Sequence, residues 1–91
     1  MSLEKTFKAL SDNNRREILE MLKNGMMSAG DIAENFDMTQ ATVSYHLSIL
    51  KDAGLILEYR DGNFRNYVLN TSVFEELMSY VFSMVNEKGE T

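Results

Sequence analysis

The chain has 91 residues, nine of them basic and fourteen acidic, for a net charge of −5, with no cysteine, no proline and one histidine. That length is expected to form one domain, residues 1–91, with a core that is marginal alone, since a chain this size buries only ~60–65% of its unfolded surface. The missing cysteines exclude disulfides, thiolate metal sites and a cysteine nucleophile. No apolar run reaches the roughly 18 residues of a membrane span and no signal-peptide pattern opens the chain, so a cytoplasmic location without membrane insertion is expected.

An acid excess counts against nucleic acid, but its distribution softens that. Residues 1–38 carry five basic and seven acidic groups. Residues 39–69 are balanced, with Lys51, Arg60 and Arg65 against Asp52, Glu58 and Asp61. Residues 70–91 carry Lys88 against Glu75, Glu76, Glu87 and Glu90.

Leu3, Phe7 and Leu10 recur at i, i+4 and i+7, which predicts a short helix over 2–10 with one apolar face. Ser11-Asp12 interrupts it, and Asp12 is a natural N-cap for a second helix whose inner stripe is Ile18, Leu19 and Leu22. Arg16, Glu17, Glu20 and Lys23 lie outside that stripe, and Asn24-Gly25 ends the helix. Ser28 is placed as the next N-cap, with Met27 and Ile32 at the staple positions and Ile32, Ala33 and Phe36 facing inward. After Asp37-Met38 the start pattern repeats, with Thr39 as N-cap and Met38 and Val43 as the staple pair.

The helix that follows, over 39–53, has two unlike faces. Val43, Leu47 and Leu50 form an apolar stripe. Ala41, Thr42, Tyr45, Ser48 and Asp52 lie opposite, with Gln40 and Ser44 flanking. A solvated face ordinarily carries Glu and Lys. This one carries short-stemmed donors and acceptors, which suits the edges of bases in a major groove. Two capped helices joined by about three residues form either a helix-turn-helix or an αα-hairpin in a small bundle.

Gly54 stops that helix. Leu55–Arg60 and Phe64–Leu69 then read as strands around Asp61-Gly62, a hairpin signal. A loop of those two residues would set Tyr59 opposite Phe64, Glu58 opposite Arg65 and Ile56 opposite Tyr67. A hairpin directly after a helix-turn-helix makes a winged helix. The fold class is thus mainly α with a small β-hairpin, in the order ααααββα.

Ser72-Val73-Phe74-Glu75 reads as a capping box for the last helix, and Lys88 and Gly89 suit its end. Phe74, Leu77, Met78, Val81, Phe82, Met84 and Val85, extended by Tyr80, make its apolar arc too wide for one small domain to cover. Together with Leu3 and Phe7 it predicts a homodimer through both terminal helices.

With these elements in place, LSDNNRREILEMLKNG, SAGDIAENFDMTQATVSYHLSILKDAGLI and the hairpin resemble the ArsR/SmtB-type family of bacterial winged-helix repressors over about residues 5–85. The run ATVSYHLSILKDAGLI carries most of the likeness. In LSDNNRREIL, Asn13 stands where Pro is common. The short length and the SAGDIA segment look closest to the SdpR-like autorepressor branch. The resemblance implies a homodimeric repressor with each reading helix in a major groove of a palindromic operator. It implies that Gln40, Thr42, Ser44 and Tyr45 face bases, and that Thr39, Ser48 and Lys51 face phosphates or the groove edge. Arg60, Asn63 and Arg65 would carry the wing. Arg15 and Arg16 match the family's basic pair, with helix salt bridges to Glu20 as the alternative.

The departures are also informative. Many members bind metals through a Cys-x-Cys in the third helix or through Asp and His on the last. Here the third helix has no Cys and the last no His, so no metal and no cofactor is expected. The lone His46 lies at the edge of the buried stripe, where packing or a phosphate contact is the default and pH sensing is a third role. No Gly-rich phosphate loop or nucleophile motif points to an enzyme. The partners expected are double-stranded operator DNA, a second copy of the chain, and an inducer that is either a protein or a small molecule. The competing class is a winged helix that binds only protein and no DNA.

Overall fold

The computed structural model describes residues 1–86. Five helices and three strands follow in the order α1 (Leu3–Leu10), α2 (Asn13–Leu22), β1 (Met27–Ser28), α3 (Ala29–Glu34), α4 (Gln40–Asp52), β2 (Ile56–Asp61), β3 (Phe64–Leu69) and α5 (Thr71–Val85). The helix starts follow the capping chemistry. Asp12 accepts from the Arg15 N–H, Ser28 from Asp31 and Thr39 from Thr42, each supplying an acceptor to an otherwise orphaned donor. Past Lys51 the chain leaves α4 through Gly54 at φ +81°, a left-handed position that Gly takes without strain.

The core is one cluster in which Ile18, Leu19 and Leu22 of α2, Ile32 of α3, Val43, Leu47 and Leu50 of α4, and Leu55, Ile56 and Tyr67 meet. The three helices of the helix-turn-helix region therefore share their buried faces with the base of the hairpin. The sheet order is β1-β3-β2, all antiparallel. β1 is absent from the expected order. At two residues it is too short to show any alternation, and only its pairing of Met27 with Tyr67 and Ser28 with Asn66 reveals it.

The hairpin register differs from expectation. Asp61 pairs with Phe64, so the loop is Gly62-Asn63 rather than Asp61-Gly62. Glu58 consequently faces Tyr67 instead of Arg65, Tyr59 faces Asn66 instead of Phe64, and Ile56 faces Leu69 instead of Tyr67. The displacement is two residues, which leaves every side chain on its expected face, so hydrophobic alternation cannot distinguish the two registers. The turn decides: Gly62 sits at φ +62°, at the first loop position, where positive φ is needed.

The last helix also starts earlier than the Ser72 capping box implies. Its N-cap is Asn70, whose side chain makes no cap bond and instead donates to the Gly54 carbonyl at 2.9 Å. That bond ties the start of α5 to the end of α4. Lys88 and Gly89 lie outside the described residues. Nothing in α5 is buried. Val73 and Phe74 pack on the core edge, and the Phe7 and Tyr80 rings lie 6.5 Å apart. Met78, Val81, Phe82, Met84 and Val85 are 49–80% exposed.

Candidate nucleic-acid interface

α4 buries Val43, His46, Leu47 and Leu50 and turns Gln40, Ala41, Thr42, Tyr45, Ser48, Lys51 and Asp52 outward. Its outer face is polar because the 3.6-residue period sends every large aliphatic residue except Ile49, which is half-buried, to the core. Thr39 is occupied as the N-cap, its Oγ1 accepting from the Thr42 N–H at 3.2 Å. Ser48 donates to the Tyr45 carbonyl at 2.8 Å, and Tyr45 is 60% exposed. Ser44 is half-buried, with its hydroxyl 3.5 Å from Arg65 Nη2.

The C-terminal half of this face opens into a cleft of about 890 Å³ bounded by α1, α4 and the inner side of the β2–β3 hairpin. Its charged lining is Lys5, Lys8, Lys51, Arg60 and Arg65 against Asp52 and Glu58, a local charge of +3 in a chain of −5. Of the residues singled out in the sequence, Ser44, Tyr45, Ser48, Lys51, Arg60 and Arg65 line this cleft. Thr39, Gln40 and Thr42, at the N-terminal end of α4, and Asn63, at the exposed hairpin tip, lie outside it. Lys5 and Lys8 were not anticipated. Their i, i+3 spacing marks the polar face of α1, but only the packing of α1 on α4 says what that face overlooks.

Glu58 organises the cleft floor. Its carboxylate accepts from Lys51 Nζ at 2.7 Å and from the Tyr67 hydroxyl at 2.9 Å, with Arg65 Nη1 at 4.0 Å. The Lys51 bond, then the Tyr67 bond, hold its carboxyl below the usual carboxylate range against the opposing effect of burial. Burial first, and the bond to Glu58 second, push the Tyr67 phenol up. Lys5 and Asp52 form a second, exposed pair at 3.3 Å. Both acids of the cleft are therefore paired with lysines, and Lys8, Arg60 and Arg65 make up the surplus of three, Arg65 sharing Glu58 with Lys51.

The two arginines after Asp12 reach neither Glu20 nor the cleft. Glu20 pairs with Lys23 at 3.1 Å. Arg16 Nη1 donates to the Leu10 carbonyl at 2.7 Å, and Arg15 donates to the Lys8 and Ala9 carbonyls at 3.0 and 2.8 Å. Both satisfy the free carbonyl end of α1, where a positive charge is also favoured by the helix dipole.

Of the residues expected at a dimer interface, Phe7, Met78, Val81, Phe82 and Val85 are exposed. Leu3, Phe74 and Leu77 are half-buried within the chain itself. Among the described residues, no group of three His, Cys, Asp or Glu side chains could hold a metal ion, and no helix is long and apolar enough to cross a membrane.

The model of the bacterial regulatory protein arsR family matches residues 12–57, from the N-cap of α2 into β2. The chain belongs to the arsR family. Its similarity to the transcriptional repressor SdpR of Bacillus subtilis is 44% identity over 97% of each chain. With the arsenical resistance operon repressor of the same organism it shares 39%, over 96% of this chain and 85% of the relative. An ArsR-like transcriptional regulator from Rhodococcus sp. RHA1 superposes with a TM-score of 0.84 at 26% identity, covering 90% of this chain and 75% of that one. A homodimeric winged helix-turn-helix DNA-binding domain from Mycobacterium bovis shares the fold, with a TM-score of 0.72 at 24% identity over 98% and 86% of the two chains. The arsR family consists of transcriptional regulators rather than enzymes, and α3, α4 and the β2–β3 wing are this chain's winged helix-turn-helix.

Proposed function

We propose that the chain is a sequence-specific transcriptional repressor, acting at its own gene, that binds a palindromic operator as a homodimer. One observation carries the reading: the exposed face of α4 is polar and short-stemmed, and it runs into a cleft of charge +3 on an acidic chain. In this reading Gln40, Thr42, Ser44 and Tyr45 meet base edges in the major groove. Thr39, Ser48 and Lys51 meet phosphates or the groove edge, and Arg60, Asn63 and Arg65 hold the wing to the flanking backbone. The acidic remainder of the surface limits binding to unrelated DNA.

Residues 1–91 serve as one DNA-binding and dimerising unit. A second copy covers Met78, Val81, Phe82 and Val85 together with Phe7, while Leu3, Phe74 and Leu77 back that surface from within the chain. Two-fold symmetry then sets two reading helices on half-sites ~34–36 Å apart if they are one DNA turn apart. The two B. subtilis relatives are both named as repressors, which supports repression here.

The test is fluorescence anisotropy on DNA from upstream of the chain's own coding sequence and on a scrambled control, from about 50 to 200 mM salt. The expected result is a selective, salt-dependent rise, with a dimer in sedimentation. No binding to either DNA at about 50 mM salt, where phosphate contacts are strongest, refutes the reading. It would favour a winged helix that binds only protein.

A further inference from the structure

Among the described residues, three polar or charged residues are buried: Thr6, Arg15 and His46. The last two touch. Arg15 and His46 are 7% and 6% exposed, and Arg15 Nη1 lies 3.2 Å from His46 Nδ1. A guanidinium only donates, so Nδ1 accepts, and the proton of the neutral ring sits on Nε2. Of the other guanidinium N–H groups, one on Nε donates to the Ala9 carbonyl and one on Nη2 to the Lys8 carbonyl, at the end of α1. One cation thus joins three elements: it is carried by α2, it closes the end of α1, and it grips α4 through the only histidine in the chain.

Capping α1 does not explain this arrangement. Arg16, the next residue, caps the Leu10 carbonyl while staying exposed. Burying a second guanidinium is costly without partners for its donors, and the partner that Arg15 has beyond the α1 carbonyls is His46. The imidazole sits one residue after Tyr45, which is exposed on the reading face, and the two rings are 5.6 Å apart. We infer that the Arg15–His46 contact is a latch that fixes the attitude of α4 against α1, and that DNA affinity depends on its closure. The inference rests on the function proposed above. Arg15 and His46 are positioning residues in it and touch no DNA.

The latch has a second state by its own chemistry. A proton on Nδ1 turns the acceptor into a donor aimed at a guanidinium, and the contact must open. The charged and titratable groups facing the ring are Arg15 from α2, Asp12 at its N-cap and Tyr45 from α4, while the α1 carbonyls of Lys8 and Ala9 hold the far side of the guanidinium. Asp12 Oδ2 is 3.9 Å from Nδ1 and already accepts from the Arg15 N–H at 3.1 Å. It is placed to receive the protonated ring, which exchanges a bond between α4 and the α1-capping guanidinium for one to the N-cap of α2.

The experiment compares wild type with His46→Asn, whose side-chain oxygen retains an acceptor where Nδ1 was, and with His46→Leu, which has none. Binding to the upstream DNA is followed from about pH 7.5 to about pH 5.5. Wild type should lose on the order of tenfold in affinity toward the acid end, a usual size for coupling between two sites. His46→Asn should bind as wild type does at pH 7.5 and keep that affinity at pH 5.5. His46→Leu should bind weakly throughout. A histidine that merely packs would give no pH profile that Asn abolishes. The same profile in wild type and His46→Asn overturns the latch, and so does full affinity in His46→Leu. Should His46→Leu not fold, the comparison of wild type with His46→Asn still decides. Amide residual dipolar couplings, read without DNA, report the angle between α1 and α4. A change between pH 7.5 and 5.5 in wild type that His46→Asn abolishes supports the latch, and an unchanged angle overturns it. If wild type binds no DNA at all, the proposed function has failed, and the couplings alone decide the latch.

Discussion

Replacing Glu58 should weaken the fold and strengthen the grip on unrelated DNA. The Glu58 side chain is 12% exposed and holds two partners of unequal worth. Lys51 is 54% exposed, so solvent screens that pair and it contributes at most about 1 kcal/mol. Tyr67 is 2% exposed, and stranding its hydroxyl without an acceptor costs about 1–3 kcal/mol. Glu58→Ala should therefore lose on the order of 2–3 kcal/mol, a fall in Tm of roughly 10–20 °C for a chain this small. The effect on DNA has the opposite sign. Lys51 and Arg65 lose their shared counter-charge, so scrambled DNA should bind more tightly, with a salt slope steeper by about one unit for every further phosphate that is neutralised.

Glu58→Gln separates the two effects, because it keeps an acceptor for Tyr67 and removes the charge. It should cost about 1 kcal/mol and give the same increase in affinity for scrambled DNA. The folded carboxyl is lowered below its unfolded value, so its contribution is complete above the unfolded pKa and is lost as pH falls through the folded one. The stability gap between wild type and Glu58→Gln should therefore close in acid. Thermal melts at fixed protein concentration and anisotropy on scrambled DNA across a salt series measure both halves. If Glu58→Ala melts with wild type, or leaves the salt slope unchanged, the cleft is not organised by this carboxylate.

Three further outcomes are expected. Gln40→Ala should cost ~1–3 kcal/mol on the operator and relax preference at one base position with little change in salt slope, whereas Lys51→Ala should weaken all sequences alike; equal losses on operator and scrambled DNA would remove Gln40 from base reading. Val81→Asp or Phe82→Asp should convert the dimer to monomer in sedimentation, and a wild type that is a folded monomer at micromolar concentration contradicts the assigned interface. Tyr67 has its phenol raised by burial and by Glu58, so the stability it lends should be intact below pH 10 and drain away as pH rises through the folded value, a loss that Tyr67→Phe should not show in alkaline melts.

Local chemistry carried most of what the sequence made legible. Asp12, Ser28 and Thr39 each stand one helical start before an apolar stripe, and each caps as expected because the bond spans three residues. The same reasoning placed a cap at Ser72, where the fold instead begins the helix at Asn70 and spends that side chain on Gly54, sixteen residues away. The cleft was half legible. Its α4 and wing residues follow from facing, but Lys5 and Lys8 join it only through tertiary packing. The role of Arg15 was hidden most fully. Nothing within its own helix indicates that its guanidinium will be enclosed, since the partner that encloses it is 31 residues along the chain.

β1 amounts to Met27 and Ser28, yet it hydrogen-bonds to the middle of β3, and its second residue is the N-cap of α3. The wing and the helix-turn-helix are thereby stitched backbone to backbone, and the chain resembles a caliper whose jaws have been set. If α4 and the wing tip hold DNA as proposed, their separation does not adjust to the duplex. A duplex whose groove width or curvature does not suit that gap must itself bend or widen. The cost then depends on how stiff its base steps are, so bases that no side chain touches acquire a vote in the choice of operator.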